Sequence, residues 1–451
     1  MKKFLNIAML TLVALSSLSL GSCKNEVDEI FDEDAVARLD KAKAEYIDIL
    51  TSNGGKWQME YYANSKEPGY IYLMTFKKDG SVTISGMNKW IGYAVGSSSS
   101  SGSAVYGSET SLWDVITDNG PVLSFNSFNR IFHLFADPED IPSMSDQDDD
   151  ETGYGHEGDY EFDLMKYSND TLYVTGKKYG LNMIMTRVPG DVDDEVYMHE
   201  VVAMADSFFN AKIPQVYINL PNGVRYIVKN GASSILSLFR EDQDEITYST
   251  DYNVIITHDG LSFMNPVALD AITETYSIQN FIRQPDGSLL CRDDNQTTMT
   301  ADPLSTVFGV QALTWKMDVS QLGGIYAQFA NDLAAELKTY NKSTLSSATI
   351  AYDYNLKKYT IAFNIKKGSS KYNPTFYFTM DAMSDTQVKF NVEPEGDAAA
   401  KVYVVKCPSM QAFINAFAAS AFDLSSPSLL APTVMKLAES GNAGNYMIWA
   451  L

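Results

Sequence analysis

Trp57-Gln58-Met59-Glu60-Tyr61-Tyr62 and Tyr70-Ile71-Tyr72-Leu73-Met74-Thr75-Phe76 are two short runs crowded with aromatic and β-branched residues. That composition suits a pleated, half-buried surface and reads as strand. Further runs of the same kind follow at 81–85, 104–116, 122–125, 130–135, 160–165, 171–175 and 181–188. Asp79-Gly80 and Asn119-Gly120 supply turn signals between them. Eight or nine successive strands on short connections predict an antiparallel meander, most simply an up-and-down barrel, because closure removes exposed edges.

Upstream of these strands the period is helical. Val36, Leu39, Tyr46, Ile47 and Leu50 recur on one face, and Asn53-Gly54-Gly55 supplies the stop. Downstream, Asp191 to Glu195 marks an acidic boundary, and Val201, Met204, Ala205 and Phe208 predict a helix closing the first unit. Strand-like runs resume at 216–220, 224–228, 235–239, 246–249, 254–257 and 288–291, with turns at Asn222-Gly223, Asp259-Gly260 and Asp286-Gly287. Two helical faces then appear, Ile325/Phe329/Leu333/Leu337/Tyr340 and Met410/Phe413/Ile414/Phe417, among strands at 349–354, 359–365, 376–380, 388–392 and 402–405. The fold class is therefore mainly β: an N-terminal barrel over 53–211, then a β-rich α+β domain over 212–451.

Met1, Lys2 and Lys3 precede an uncharged apolar run from Phe4 to Leu20, the pattern of a secretory signal at 1–22. The run ends in Leu20-Gly21-Ser22-Cys23, which resembles the bacterial lipobox and implies cleavage before Cys23 and acylation of its thiol. Residues 23–52 then read as a lipidated acidic tether and the first helix. Among 451 residues, 34 Lys and Arg stand against 57 Asp and Glu, a net charge of −23 that repels polyphosphate, so nucleic acid is excluded as a partner. The other two cysteines, Cys291 and Cys407, either bridge in an oxidising compartment or stay separate buried thiols.

No catalytic constellation emerges. His199-Glu200 is followed by Val201-Val202-Ala203, so no HExxH zinc motif exists, and neither a G-x-S-x-G elbow nor a Walker loop is present. His133, within the predicted strand 130–135, is read as a hydrogen-bonded strand residue. Asp146-x-Asp148-x-Asp150, with Glu157 eleven residues after Asp146, matches positions 1, 3, 5 and 12 of an EF-hand loop. Glu151 stands where that loop needs glycine, so a solvated acidic hairpin competes with a Ca2+ site; calcium is the one cofactor suggested. Trp57, Tyr61, Tyr62, Tyr70, Trp90 and Trp113 are either core or ring platforms for a ligand, and core packing is the preferred reading.

Several segments together resemble the domain of unknown function 4302 family of Bacteroidota lipoproteins. The carrying residues are Glu60-Tyr61-Tyr62, Gly69-Tyr70 leading to Phe76 and Gly80, and Gly120-Pro121-Val122-Leu123-Ser124-Phe125. Asn129, the 133–138 stretch, Gly158-Asp159-Tyr160-Glu161-Phe162 and Thr175-Gly176-Lys177-Lys178 continue the resemblance. It implies an exported lipoprotein associated with SusC-like and SusD-like nutrient uptake, and it carries no assigned active site. Gly55-Lys56-Trp57 is in addition similar to the Gly-x-Trp opening of lipocalin barrels, in which an Arg late in the last strand covers the Trp; Arg187 is placed for that role.

These readings together lead us to expect a lipid-anchored outer-membrane protein, on the cell surface slightly in preference to the periplasmic face. Its expected role is to bind a glycan or peptide, or to act as scaffold, beside outer-membrane transporter components. A secreted hydrolase of the same nutrient and a structural adhesin are the alternatives, and enzyme status is left open. Radiolabelled fatty acid is expected to enter the wild-type chain and not Cys23→Ala; labelling of both would refute lipidation at Cys23.

Overall fold

The computed structural model describes residues 34–96, 103–136, 156–209, 213, 215–230 and 235–451. The signal segment, Cys23, Asp146, Asp148 and Asp150 lie outside the described residues. The chain opens with α1 (Ala35–Thr51), whose first turn is capped by the Asp34 carboxylate accepting from Ala37 N–H at 2.7 Å. It stops as expected at Asn53-Gly54-Gly55. Gly55 is at φ +66°, where a Cβ would stand 2.1 Å from the Phe76 carbonyl oxygen, so no other residue fits.

Nine strands follow: β1 (Lys56–Tyr61), β2 (Tyr70–Phe76), β3 (Ser81–Asn88), β4 (Val105–Leu112), β5 (Asp114–Thr117), β6 (Pro121–Ser124), β7 (Glu161–Ser168), β8 (Thr171–Gly176) and β9 (Asn182–Arg187). A short helical turn, α2 (Ile91–Ala94), lies between β3 and β4. Their order is β4-β3-β2-β1-β9-β8-β7-β6-β5, all antiparallel, so the first and last strands pair and the meander becomes a ring. At the remaining gap β4 and β5 are one run bent at Trp113. Its first part pairs with β3 and its second with β6, and the chain itself carries the ring across the bend.

The interior of this ring is packed solid. Trp57, Tyr61, Tyr72, Phe76 and Phe162 point inward from the strands and are fully or almost fully buried. The segment predicted as a strand at 130–135 instead turns inward as a 3-10 helix at His133–Phe135. The cause is local: the Asn129 side-chain carbonyl accepts from Ile131 and Phe132 N–H at 3.0 and 3.1 Å, and His133 Nδ1 accepts from Asn129 N–H at 3.1 Å. Such side-chain bonds divert backbone from a ladder. Phe132 and Phe135 then pack on Tyr61 with centroids 5.5 and 5.9 Å away, and the plug fills the barrel.

Arg187, at the end of β9, lies 4.1 Å above the Trp57 ring, the arrangement its position implied. Its guanidinium also donates to the carbonyls of Ile49 and Ser52 at 3.1 and 2.9 Å, while Trp57 Nε1 donates to Leu50 O at 2.8 Å. Both side chains thereby bond carbonyls at the end of α1 and clamp that helix to the seam between β1 and β9.

Helix α3 (Asp194–Phe209) leaves the barrel and joins two cores. Tyr197, Met198 and Val201 belong to the first and Met204 and Phe208 to the second. The second core lies inside a closed barrel of β10 (Val216–Asn219), β11 (Arg225–Asn230), β12 (Ile235–Arg240), β13 (Thr250–Ile256), β14 (Gly260–Leu269), β15 (Tyr276–Arg283), β16 (Leu289–Cys291) and β17 (Thr298–Ala301). The run 246–249, predicted as a strand, is instead α4 (Glu245–Tyr248), because the Asp244 carboxylate caps it by accepting from Thr247 N–H. The two barrels touch directly. Gly69 N–H donates to Val254 O at 3.2 Å, Asn253 Nδ2 to Ser65 O at 2.7 Å, and Ile255 is buried in the first core.

After α5 (Leu304–Phe308) come the remaining strands, β18 (Trp315–Gly323), β19 (Thr344–Asp353), β20 (Lys358–Lys367), β21 (Ser370–Tyr372), β22 (Thr375–Ser384), β23 (Gln387–Val392), β24 (Ala421–Ser425), β25 (Val434–Glu439) and β26 (Asn442–Ala450). They form a third antiparallel sheet in which β19 also pairs with β20. Helices α6 (Gly324–Asn341), α7 (Ala398–Lys406) and α8 (Pro408–Ala419) accompany it. The stretch 402–405, predicted as a strand from its valines, is inside α7, whose start is fixed by Asp397 accepting from Ala400 N–H at 2.7 Å. Phe413 and Phe417 of α8 pack on Phe363, Phe378 and Phe390, with Phe417 and Phe390 stacked at 4.3 Å. Cys291 and Cys407 are free buried thiols in separate cores, so they are not bridged. Among the described residues no helix is long and apolar enough to cross a membrane.

Replacing Arg187 by Ala removes the cation from Trp57 and one of the two hydrogen bonds accepted by each of the Ile49 and Ser52 carbonyls. A loss of about 3 kcal/mol is expected in urea unfolding followed by Trp fluorescence, and Arg187→Lys should recover part of it. A loss below about 0.5 kcal/mol would contradict the clamp.

Candidate functional site

Strand β1 alternates Lys56, Gln58, Glu60 outward with Trp57, Met59, Tyr61 inward, yet all six are buried. The outward set is covered by α3 and by the second barrel. Lys56 Nζ pairs with Asp194 at 2.7 Å, Tyr197 Oη donates to Gln58 Oε1 at 2.6 Å, and the Ser262 hydroxyl donates to Glu60. Polar groups can be buried here because each finds a partner on the element that covers it.

Beside this contact a cleft of about 780 Å3 opens between the barrels. One wall is the outer face of the first barrel. The register there forms two rows, Gln58–Thr186–Thr171 and Glu60–Ile184–Tyr173, from three neighbouring strands. The other wall is the β13–β14 turn, Thr257-His258-Asp259, with Ser262, Asn280 and Arg292. Tyr197 closes one side, its ring 4.4 Å from that of His258. A second lobe of about 460 Å3 continues past Tyr173 toward Tyr62, Asn182, Met264 and Gln279. Glu60, Tyr173, Ile184 and Asn280 line both lobes, which makes them the centre of one groove.

Glu60 is the electrostatic focus of this groove. Burial raises its carboxyl from the ordinary value of 4.5 to about 7; the nearby Asp259 charge pushes the same way, while Ser262 and Arg292 oppose it. Asp259 itself accepts from Thr257 Oγ1 at 2.9 Å. Asp293 is held by the N–H groups of Gln279 and Asn280 at 2.7 and 2.8 Å. His258 Nδ1 is buried without a hydrogen-bond partner, 3.6 Å from Asp259 Oδ1. The groove thus offers a protonatable carboxyl, a guanidinium, hydroxyls and amides in mixed array, and no nucleophile–base pair of the kind used in acyl transfer is assembled among its described residues.

The residues singled out from sequence lie elsewhere. Glu157 is exposed at φ +57°, with its companions Asp146, Asp148 and Asp150 outside the described residues. No group of His, Cys, Asp or Glu among the described residues is arranged to hold a metal. His133 sits in the plug, His156 pairs with Glu67 at 2.7 Å in the first barrel, and His199 is on the exposed side of α3. Trp57, Tyr61, Tyr62, Trp90 and Trp113 are core residues, and Tyr70 stacks on Phe135 at 4.5 Å. Sequence reading missed Glu60, Tyr173, His258 and Arg292 as a group. The available signal was the polar half of β1, three polar residues alternating with an aromatic core set.

Fold and groove define a protein of tandem antiparallel barrels with a polar inter-barrel cleft and a third, helix-bearing sheet. The chain belongs to the family described as domain of unknown function (DUF4302), whose profile matches residues 27–284, covering the first barrel and most of the second. No curated protein matches it. Eleven solved chains match, among them the crystal structure of the beta subunit from DNA polymerase of Streptococcus pyogenes. That match has 10% identity over 91% of this chain and 97% of the other, with a TM-score of 0.14, too low to carry any argument.

The Glu60 value sets a pH dependence of stability. Between pH about 4.5 and 7 the folded chain holds a proton that the unfolded chain has released, so stability falls as pH rises across that window and is flat above it. The expected loss is at most about 3 kcal/mol for a shift of this size. Urea unfolding as a function of pH should show this decline in the wild type and lose it in Glu60→Gln.

Proposed function

We propose that this protein is an exported, lipid-anchored cell-envelope protein of Bacteroidota that captures a ligand without transforming it, as an accessory of a SusC/SusD-like nutrient uptake system. Membership of the DUF4302 family and the lipobox-like Leu20-Gly21-Ser22-Cys23 support the envelope location. The observation that carries the binding role is the two-lobed polar groove between the barrels. Concave sites with a few convergent polar groups at the junction of two units are where small ligands are held.

A hydrolase is the second reading, and one observation favours it. Burial pushes the Glu60 carboxyl up to about 7, it stands close enough to Asp259 to feel its charge, and a protonatable acid beside a carboxylate is the pairing used to cleave glycosidic bonds.

The test is an array of glycans and peptides with the soluble chain from residue 24, together with pull-down of outer-membrane partners and mass analysis of any ligand after incubation. Binding with the ligand recovered intact is expected. Cleavage that disappears in Glu60→Gln would establish the hydrolase instead, and absence of both ligand and partner would remove the proposal.

A further inference from the structure

The groove's amide side chains share a feature that its volume alone does not convey. Each is fixed at one end by the protein. Gln58 Oε1 accepts from Tyr197, Asn182 Oδ1 accepts from Thr175 Oγ1 at 2.9 Å, Gln279 Nε2 donates to Phe263 O at 3.2 Å, and Asn280 Nδ2 donates to Asp293 at 3.1 Å. The opposite ends have no hydrogen-bond partner among the described residues: two donors, Gln58 Nε2 and Asn182 Nδ2, and two acceptors, Gln279 Oε1 and Asn280 Oδ1. The carbonyl and carboxylate partners fix which end of Gln279 and Asn280 faces the groove, and anchoring lowers the rotamer entropy that binding costs at all four amides.

Between these amides stands Tyr173. It is 43% exposed although its neighbours on β8, Leu172 and Val174, are buried in the barrel core. Lys166 Nζ lies 5.6 Å from its ring centroid and steadies it, and the ring lines both lobes. An exposed ring flanked by fixed donors and acceptors complements a molecule with an apolar face and a rim of hydroxyls, each hydroxyl being both donor and acceptor.

The other ligand classes fit less well. An extended peptide is usually held by backbone pairing to a free sheet edge, but β1 is paired on both sides, with β2 and β9, and β8 with β7 and β9. The groove therefore presents side chains, not an unpaired ladder. An anionic ligand meets Glu200, Asp193 and Asp259 against Arg292 and Arg187, of which Arg187 is already spent on Trp57 and α1. A purely apolar ligand would strand the amides.

We propose that the groove holds a neutral oligosaccharide chain, one sugar face stacked on Tyr173 and the hydroxyls of adjacent units bonded to Gln58, Asn182, Gln279 and Asn280. This rests on the ligand-capture reading above and names its ligand class. Two lobes meeting at Tyr173 call for a chain of several units, so single sugars should bind much more weakly than longer chains.

The soluble chain from residue 24 is to be screened against neutral gluco-, manno-, xylo- and galacto-configured oligosaccharides, the corresponding uronic acid chains, and unstructured peptides. Binding constants are then measured for Tyr173→Ala, Tyr173→Phe and Asn182→Ala. Both positions are on the outer barrel face, and circular dichroism checks that the variants fold. Neutral chains should bind, Tyr173→Ala should weaken them about tenfold or more, Tyr173→Phe should retain most affinity, and Asn182→Ala should cost a few-fold. Preference for uronic acid chains, or neutral binding indifferent to Tyr173→Ala, would overturn the assignment. Peptide binding alone, weakened by Tyr173→Ala, would overturn the oligosaccharide and keep the ligand-capture reading. No binding of any class would overturn both.

Discussion

A strand buried on both faces governs this architecture. In an up-and-down barrel the outer face of each strand ordinarily meets water, and its polar half needs no partner. Strand β1 is covered there by α3 and the second barrel, so Lys56, Gln58 and Glu60 each require a matching group on what covers them. Asp194, Tyr197 and Ser262 supply those matches. Since each partner is specific in chemistry and position, the three contacts also set where α3 lies and how the second barrel is presented. The inter-barrel groove begins where this cover ends, over the outer faces of β8 and β9.

The same strand explains why the groove lies outside the first barrel. Eight or so strands enclose a space just wide enough for side chains. Here Trp57, Tyr61 and Tyr72 enter it from the wall, and the Asn129-directed turn adds Phe132 and Phe135. A lipocalin-type calyx is thereby replaced by a solid core. The Trp57–Arg187 seam is shared with that architecture, but its job is to lock α1 over one end of the barrel rather than to floor a cavity.

How far the sequence discloses this depends on how local each cause is. Strand periodicity, the Asp-Gly and Asn-Gly turns, the Gly54-Gly55 stop and the Trp57–Arg187 pairing are written within short windows or carried by a resemblance, and the structure has them. The three misread segments share one mechanism: Asn129, Asp244 and Asp397 each bond nearby N–H groups and redirect the backbone, overriding the strand preference of the residues that follow. The groove was illegible for a different reason. Glu60 and Ser262 are 202 positions apart, and an outward polar residue on a strand reads as solvated unless the cover is known. The aromatic residues that looked most like a binding surface are core, whereas Tyr173, on a predicted strand but not singled out there, is an exposed ring of the groove.

Glu60 stands where stability alone would not place a carboxyl. A carboxyl at this position is costly in either state: ionised, it is desolvated beside Asp259; protonated, it takes up a proton that the unfolded chain releases at neutral pH. An amide of the same shape could accept from Ser262 with neither cost. The penalty therefore gains the fold nothing that glutamine would not provide. It falls at the point where the two lobes of the groove meet, among Tyr173, Ile184 and Asn280. The residue that bears this penalty is also one of the four that both lobes share, so the burial of Glu60 and the opening of the groove are set by the same contact between the barrels.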